Sequence, residues 1–304
     1  MLEALAGLIK RKGSIEYDEL VNRGCLRRIR RRGPHRSGPS RPYLYEVTSC
    51  PTIETTLRRT QSLSTMLRIG IWNAEWTPPQ TDRGKLVRAL LADPDCDVLC
   101  VTEGTEDLLP DGGHPIDAGS DWGYPIKKGE EDHRKVILWS KRKWTAVRTY
   151  PERPLAGRFV AATTRTEAGP LNVVGACIPW PAAHVSTGQK DRKRWDEHVQ
   201  WLGEFERVCP DDPSRTIVLG DFNQSIPRRR QNKAAYEELR RVFQPFTFRT
   251  AGWIGPANSL GIDHIAHTPD LIPMGDIGIW PKRSTQGRKL SDHFGVWCDF
   301  DDVR

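Results

Sequence analysis

Five short apolar runs in this chain each end on acidic, amide or imidazole groups, and the order of those ends limits the fold more than any other feature. They read Leu67-Arg-Ile-Gly-Ile-Trp-Asn73-Ala-Glu75, Asp97-Val-Leu-Cys-Val-Thr-Glu103-Gly, Thr216-Ile-Val-Leu-Gly-Asp221-Phe-Asn223, Gly261-Ile-Asp263-His264-Ile and Ser291-Asp292-His293-Phe-Gly-Val-Trp. A run of about four to six apolar residues bounded by Gly, Asp or Asn signals a buried strand. An ionised carboxylate at a buried strand end is costly unless a cation or hydrogen bonds compensate. Any one such end reads first as turn chemistry. Five in succession point to a single site built where strands stop.

The donor set indicates the chemistry. Asn73, Glu75, Glu103, Asp221, Asn223, Asp263 and Asp292 offer oxygen ligands, which suit Mg²⁺ or Mn²⁺ rather than zinc. Mg²⁺ takes one or two protein carboxylates and leaves its other positions to water and substrate phosphate. The surplus acids, with His293, are then available for general acid–base work.

Trp-Asn73-x-Glu75, Thr-Glu103, Gly-Asp221-Phe-Asn223, Ile-Asp263-His264 and Ser-Asp292-His293 resemble the signature of the endonuclease/exonuclease/phosphatase superfamily. That group includes abasic-site endonucleases, pancreatic-type deoxyribonucleases, sphingomyelinases and inositol-phosphate 5-phosphatases. The resemblance runs from Met66 to the C-terminus; Gly-Asp-Phe-Asn and Ser-Asp-His are its specific parts. Lys135-Val-Ile-Leu-Trp-Ser140-Lys and Gly157-Arg158-Phe159 add weaker support. It implies an α/β fold: a four-layer sandwich of two mixed sheets face to face, helices outside, and the site at one mouth. It also implies roles. Glu103 would be the principal metal ligand, supported by Glu75 and Asp292. Asn73 would hold phosphate and metal-bound water, Asp221 would align or deprotonate the attacking water, and Asn223 would donate to a phosphoryl oxygen. His293 would contact the scissile phosphate, with Asp263 fixing its orientation. One position departs from the pattern. Where the family places a phosphate-reaching His or Tyr, this chain has Cys177, followed by Ile-Pro-Trp180. A thiol on an apolar strand reads as a small buried hydrophobe, which leaves His184 in the next loop as the candidate replacement.

Composition limits the class. The chain has 304 residues, enough for one large domain and an appendage. Its mean hydropathy is −0.58, and no apolar stretch approaches the roughly 20 residues of a membrane helix. The N-terminus lacks a basic n-region and a cleavage site. Seven cysteines, several within apolar strands, predict reduced thiols and a cytoplasmic location. Membrane insertion is not expected, and no obligate protein partner is inferable from the sequence.

Charge is uneven. Residues 1–65 hold 13 Lys and Arg against 6 Asp and Glu, whereas 66–304 hold 33 of each. The dense run from Leu26 to Arg36 suits nucleic-acid phosphates. Residues 1–47 read either as a small winged-helix-like module (two helices, a basic helix and a Gly/Pro hairpin) or as a solvated basic tail. The Thr/Ser-rich stretch 48–65 reads as linker, and 66–304 as the catalytic domain.

Within that domain, Arg228, Arg229 and Arg230 follow Gly-Asp221-Phe-Asn223 and suit phosphate clamping, as does Arg158. Trp76, Trp180 and Trp253 on loops suit base stacking. Trp72, Trp139 and Trp297 read as core, and Lys190–Trp201 as an outer amphipathic helix. The reading is a Mg²⁺-dependent phosphodiesterase, an endo- or exonuclease with DNA as substrate and partner. The alternatives are a phospholipid or inositol-phosphate esterase, and a catalytically weak nucleic-acid-binding protein.

Overall fold

The computed structural model describes residues 66–209 and 213–302, with the backbone of 26–29 and 44–47. The chain divides into two units, Met1–Leu63 and Ser64–Arg304. In the first, β1 (Leu26–Ile29) pairs antiparallel with β2 (Leu44–Val47). The start of the basic run is therefore strand rather than the expected helix. In register, Arg27 stands opposite Glu46. The remainder of the winged-helix reading and the 48–65 linker lie outside the described residues.

The second unit has two six-stranded mixed sheets. In the first sheet the order is β15 (Ile272–Trp280), β16 (Gly295–Asp301), β3 (Met66–Asn73), β4 (Val98–Gly104), β6 (Arg134–Ser140) and β5 (His114–Asp117). In the second it is β11 (Thr247–Phe248), β14 (Asp263–His267), β10 (Thr216–Asp221), β9 (Gly169–Cys177), β8 (Phe159–Thr166) and β7 (Thr145–Thr149). Pairs β3–β4 and β9–β10 are parallel and the others antiparallel. A two-residue ribbon, β12 (Trp253–Ile254) with β13 (Ser259–Leu260), projects from the loop before β14.

Period-two alternation assigns the faces. Leu67, Ile69, Ile71, Val98 and Cys100 meet Val173, Ile217, Leu219 and Ile265 in one core between the sheets. The alternate residues Trp72, Leu99, Val101 and Ile137 pack against Val87 and Leu91 of helix α1 (Asp82–Ala92). On the far face of the second sheet, Val174, Val218 and Ala266 pack with Trp201, Leu202 and Phe205 of α2 (Asp196–Val208) and Leu239 and Val242 of α3 (Lys233–Val242). The result is the expected four-layer α/β sandwich.

Helix α2 begins six residues later than its sequence pattern suggests. Trp195 holds a left-handed backbone (φ 76°), and the Asp196 carboxylate accepts from the Lys193 amide at 2.9 Å. Arg192 meanwhile reaches forward to the buried Glu197 at 2.8 Å. Lys190–Arg194 is thus a charged loop tied onto the helix start. Trp72 and Trp139 are core as expected, and Cys96, Cys100, Cys177 and Cys298 are buried thiols outside any disulfide. Among the described residues no helix is long and apolar enough to cross a membrane.

Candidate active site

The site forms at the end of the sandwich where β3, β4 and β10 stop and β14 begins, and two hydrogen bonds stitch the sheets together there. Asn73, last residue of β3, donates its side-chain amide to Asp221 of β10 at 3.2 Å. Across the same seam, His293 Nδ1 donates to Asp263 Oδ2 at 2.7 Å. Ser291 ties the first-sheet side down: its hydroxyl donates to the Asn73 carbonyl at 2.7 Å and accepts from the His293 amide at 3.0 Å.

Local backbone geometry aims these groups. Gly220 has φ 153°, and a Cβ there would lie 1.7 Å from the Ala176 carbonyl, so only glycine lets β10 approach β9 immediately before Asp221. Glu75, Trp76, Glu103 and Asn223 all hold left-handed backbones (φ 49° to 52°). Such conformations are uncommon for non-glycine residues and cluster where side chains must turn out of a regular ladder. Asn223 then donates its backbone amide to Asp221 Oδ1 at 2.9 Å and its side-chain amide to the Ile178 carbonyl at 2.9 Å.

Electrostatics set the protonation states. Asp221 is 3% exposed; burial first, and then the neighbouring Asp263 charge, push its carboxyl up to about 7, although His293 opposes this. Burial works against a charged imidazole at His293. The charge and hydrogen bond of Asp263, helped by Asp221 and Asp292, outweigh it and push the ring up to about 10. Near neutrality the cluster therefore holds an imidazolium beside a carboxylate poised to gain or lose a proton. Asp263 Oδ1 is buried with no hydrogen-bond partner. Asp221, Asp263 and His293 bring one ligand atom each within 4.8 Å of one another.

The expected metal ligands stand differently. Glu103 is paired with Lys135 Nζ at 2.6 Å, its neighbour across the β4–β6 ladder, and Lys135 also lies 4.9 Å from the Trp76 ring centre. Glu75 is held by Arg83 at 2.7 Å and by Lys289. Its partial burial acts to raise the carboxyl, but these two cations outweigh it and hold the group below its ordinary value. Asp292 is exposed, with His293 Nε2 3.9 Å away. The oxygen donors fit a hard cation in kind, yet a divalent ion at Glu103 competes with Lys135. Sequence reading missed Lys135, Arg83 and Lys289 because only the β4–β6 pairing and the packing of the 282–290 segment bring them to these acids.

Three expected substrate contacts, His184, Arg158 and Trp76, have other surroundings, while Cys177 is the buried hydrophobe expected of it. His184 is fully buried, its ring tilted against Tyr124 with centres 4.6 Å apart, and accepts from the Gln189 amide at 3.2 Å; it holds its own loop closed and presents no face to a substrate. Cys177 is buried in the inter-sheet core, which pushes its thiol up to about 12. Arg158 is 2% exposed, with Nη1 3.5 Å from the Cys177 carbonyl and Nη2 without a partner. Trp76 is stacked with Trp122 and His133 at 5.8 and 4.8 Å, so base stacking there would have to displace one of them. Trp180, Arg228, Arg229 and Arg230 are exposed.

The family model described as Endonuclease/Exonuclease/phosphatase family matches residues 70–293, from within β3 to His293. The chain belongs to this family. Its members are hydrolytic, which supports a phosphodiesterase-like enzyme. Solved structures agree on the fold. A humanized D. rerio TDP2 carrying 14 mutations superposes with a TM-score of 0.56 at 16% identity, over 78% of this chain and 99% of that one. An AP endonuclease from Archaeoglobus fulgidus gives 0.55 at 18% identity, over 77% and 99%. The endonuclease domain of TRAS1, a telomere-specific non-LTR retrotransposon, gives 0.52 at 15%, over 79% and 100%. A search of curated protein sequences gives no match to this chain.

Proposed function

We propose that this protein is a Mg²⁺- or Mn²⁺-dependent phosphodiesterase that cleaves nucleic acid, with DNA as its substrate. The observation that carries the reading is the inter-sheet cluster itself: a buried carboxylate raised toward neutrality, Asp221, beside an imidazolium held by Asp263. A general base works best with its pKa near the operating pH. Asp221 takes the proton of the attacking water as the oxygen approaches phosphorus. Asn73 and the Asn223 amide fix its two oxygens, so both are positioning residues. His293 faces the phosphoryl oxygens as a cation and stabilises the charge that builds on them, and the Asn223 side chain adds a second donor. Donors of this kind are each worth on the order of 10²–10³-fold in rate.

Glu103, with Glu75 and Asp292, would hold the divalent ion. When bound, it supplies Lewis-acid stabilisation of the phosphate and its leaving oxygen. DNA appears in the descriptions of structural neighbours: D. rerio TDP2 is described as complexed with single strand DNA product. The test is cleavage of plasmid, single-stranded and abasic DNA by the purified chain with Mg²⁺, Mn²⁺ or EDTA, beside sphingomyelin and inositol-phosphate assays. DNA cleavage abolished by EDTA supports the reading. Turnover confined to the lipid or inositol substrates replaces it with the esterase alternative, and no turnover on any substrate overturns it.

A further inference from the structure

Charge that cancels over residues 66–304 is segregated within them. The loops 178–195, 222–236 and 247–262 carry nine lysines and arginines against one acid, Asp191, whereas the rest of 66–304 carries 24 basic and 32 acidic residues. These loops form one contiguous rim beside the site. The middle one starts immediately after Asp221. It is joined to the first by Asn223 Nδ2 donating to the Ile178 carbonyl at 2.9 Å, and to the third by the Gly252 amide donating to the Ile226 carbonyl at 2.7 Å. His198 fastens the first two again: its ring meets the Pro179 carbonyl at 2.8 Å and the Gln224 side-chain amide at 2.7 Å.

Each flanking loop presents one exposed tryptophan. Trp180 is 42% exposed and follows Ile178 by two residues; Trp253 is 57% exposed and follows Gly252 directly. The middle loop presents Arg228, Arg229 and Arg230, all exposed, with Arg228 donating to the Gln231 carbonyl at 2.9 Å. Three of the nine cations are engaged elsewhere, Arg192 with Glu197, Lys233 with Glu237 and Arg249 with the Gly275 carbonyl, so the remaining positive charge concentrates at Arg228–Arg230 and around Lys193 and Arg194.

We propose that this rim is a track for single-stranded nucleic acid, in which Trp180 and Trp253 stack on unpaired bases and Arg228, Arg229 and Arg230 hold the phosphates between them. The proposal rests on the nucleic-acid reading of the site and adds the strand state. A large exposed indole gains most from a base whose face is open, and in a duplex both faces of each base are already covered by its neighbours. Aromatic platforms alternating with cations are the general solution for sequence-tolerant single-strand binding. A purely duplex-binding rim would need the arginines but not the two tryptophans.

The test is fluorescence anisotropy with the full chain in EDTA, so that binding is read without cleavage. The probes are a labelled 12-mer of thymidylate and a labelled duplex of the same length. Trp180→Ala with Trp253→Ala is expected to weaken single-strand binding about 10- to 100-fold and duplex binding by less than threefold, with Trp→Phe at both positions restoring most of it. Replacing Arg228, Arg229 and Arg230 by Gln should flatten the single-strand log–log salt dependence by about 0.7 per lost phosphate contact. Unchanged single-strand affinity in the double variant, or equal losses on both probes, overturns the track. Failure of the catalytic reading shows separately, as absent hydrolysis by the wild-type chain with Mn²⁺, whatever the binding result.

Discussion

The acids at the mouth of the sandwich fall into two groups that handle the cost of burial in opposite ways. Asp221 and Asp263, from the second sheet, are almost wholly buried and share one ionisable partner, the His293 imidazole that crosses from the first sheet. Glu75 and Glu103, from the first sheet, keep about a quarter of their side-chain surface exposed, and each has a lysine on it, with Arg83 as a further cation at Glu75. The two cations on Glu75 hold its carboxyl below the ordinary value despite its partial burial. Burial and the neighbouring Asp263 charge instead push the Asp221 carboxyl up to about 7, close to proton exchange near neutrality. The first arrangement suits a cation site in which one cation replaces another, and the second suits a site that moves protons.

Breaking the proton-moving half should have the largest effect. His293→Ala and Asp221→Asn are each expected to reduce kcat by about 10³-fold or more, since each removes a group acting on the reacting atoms. Their effects on stability should have opposite signs. Asp221 has its pKa raised by folding, so relative to the unfolded chain its contribution is fully favourable below about 4 and is lost as pH rises through about 7. At pH 8 its buried charge is a burden, and Asp221→Asn should raise Tm by several degrees, with the gain vanishing near pH 4. The His293 pKa is also raised, so its contribution is intact below about 6.5 and lost only as pH approaches 10. His293→Ala should therefore lower Tm at pH 8 and leave the buried Asp263 without its cation. Thermal denaturation of both variants at pH 4 and pH 8 checks the pair of signs.

The counter-ion half should respond in metal affinity. Lys135→Met keeps the length of the side chain and removes the charge on Glu103, so Mn²⁺ should bind on the order of tenfold more tightly by calorimetry. Lys135→Arg should leave affinity near the wild-type value. Glu103→Gln should weaken Mn²⁺ binding in the background of either residue. Unchanged affinity in Lys135→Met would show that Lys135 and the ion do not compete, and would place the cation elsewhere in the mouth.

The difference between the two groups also explains what was legible in the sequence. Asp221, Asp263 and His293 stand at strand ends within short motifs, and each strand was visible from its apolar run, so a motif reading could name the cluster. The sandwich followed from the same runs, because alternation along β3, β4, β9 and β10 divides each strand between two packed faces. Lys135 was visible only as part of a strand, since its meeting with Glu103 depends on which strand pairs with β4. His184 carried no signal of burial, because its loop is fixed by a distant Tyr124 and by Glu197. The start of α2 was misplaced for a related reason: residues 190–195 have helical spacing, but Arg192 and Arg153 converge on Glu197 and hold that segment as a loop.

The pH dependence of kcat/KM for DNA cleavage at saturating Mn²⁺ tests the central claim most directly, because Asp221 and His293 must act in opposite protonation states. The account predicts a bell whose rising limb lies near pH 7, set by Asp221, and whose falling limb lies near pH 10, set by His293. In Asp263→Asn the falling limb should move toward the ordinary histidine range while the rising limb moves down, since the same acid raises both groups. A profile with no limb between pH 6 and 10, or one that Asp263→Asn leaves in place, would contradict the assignment of base and cation to this cluster.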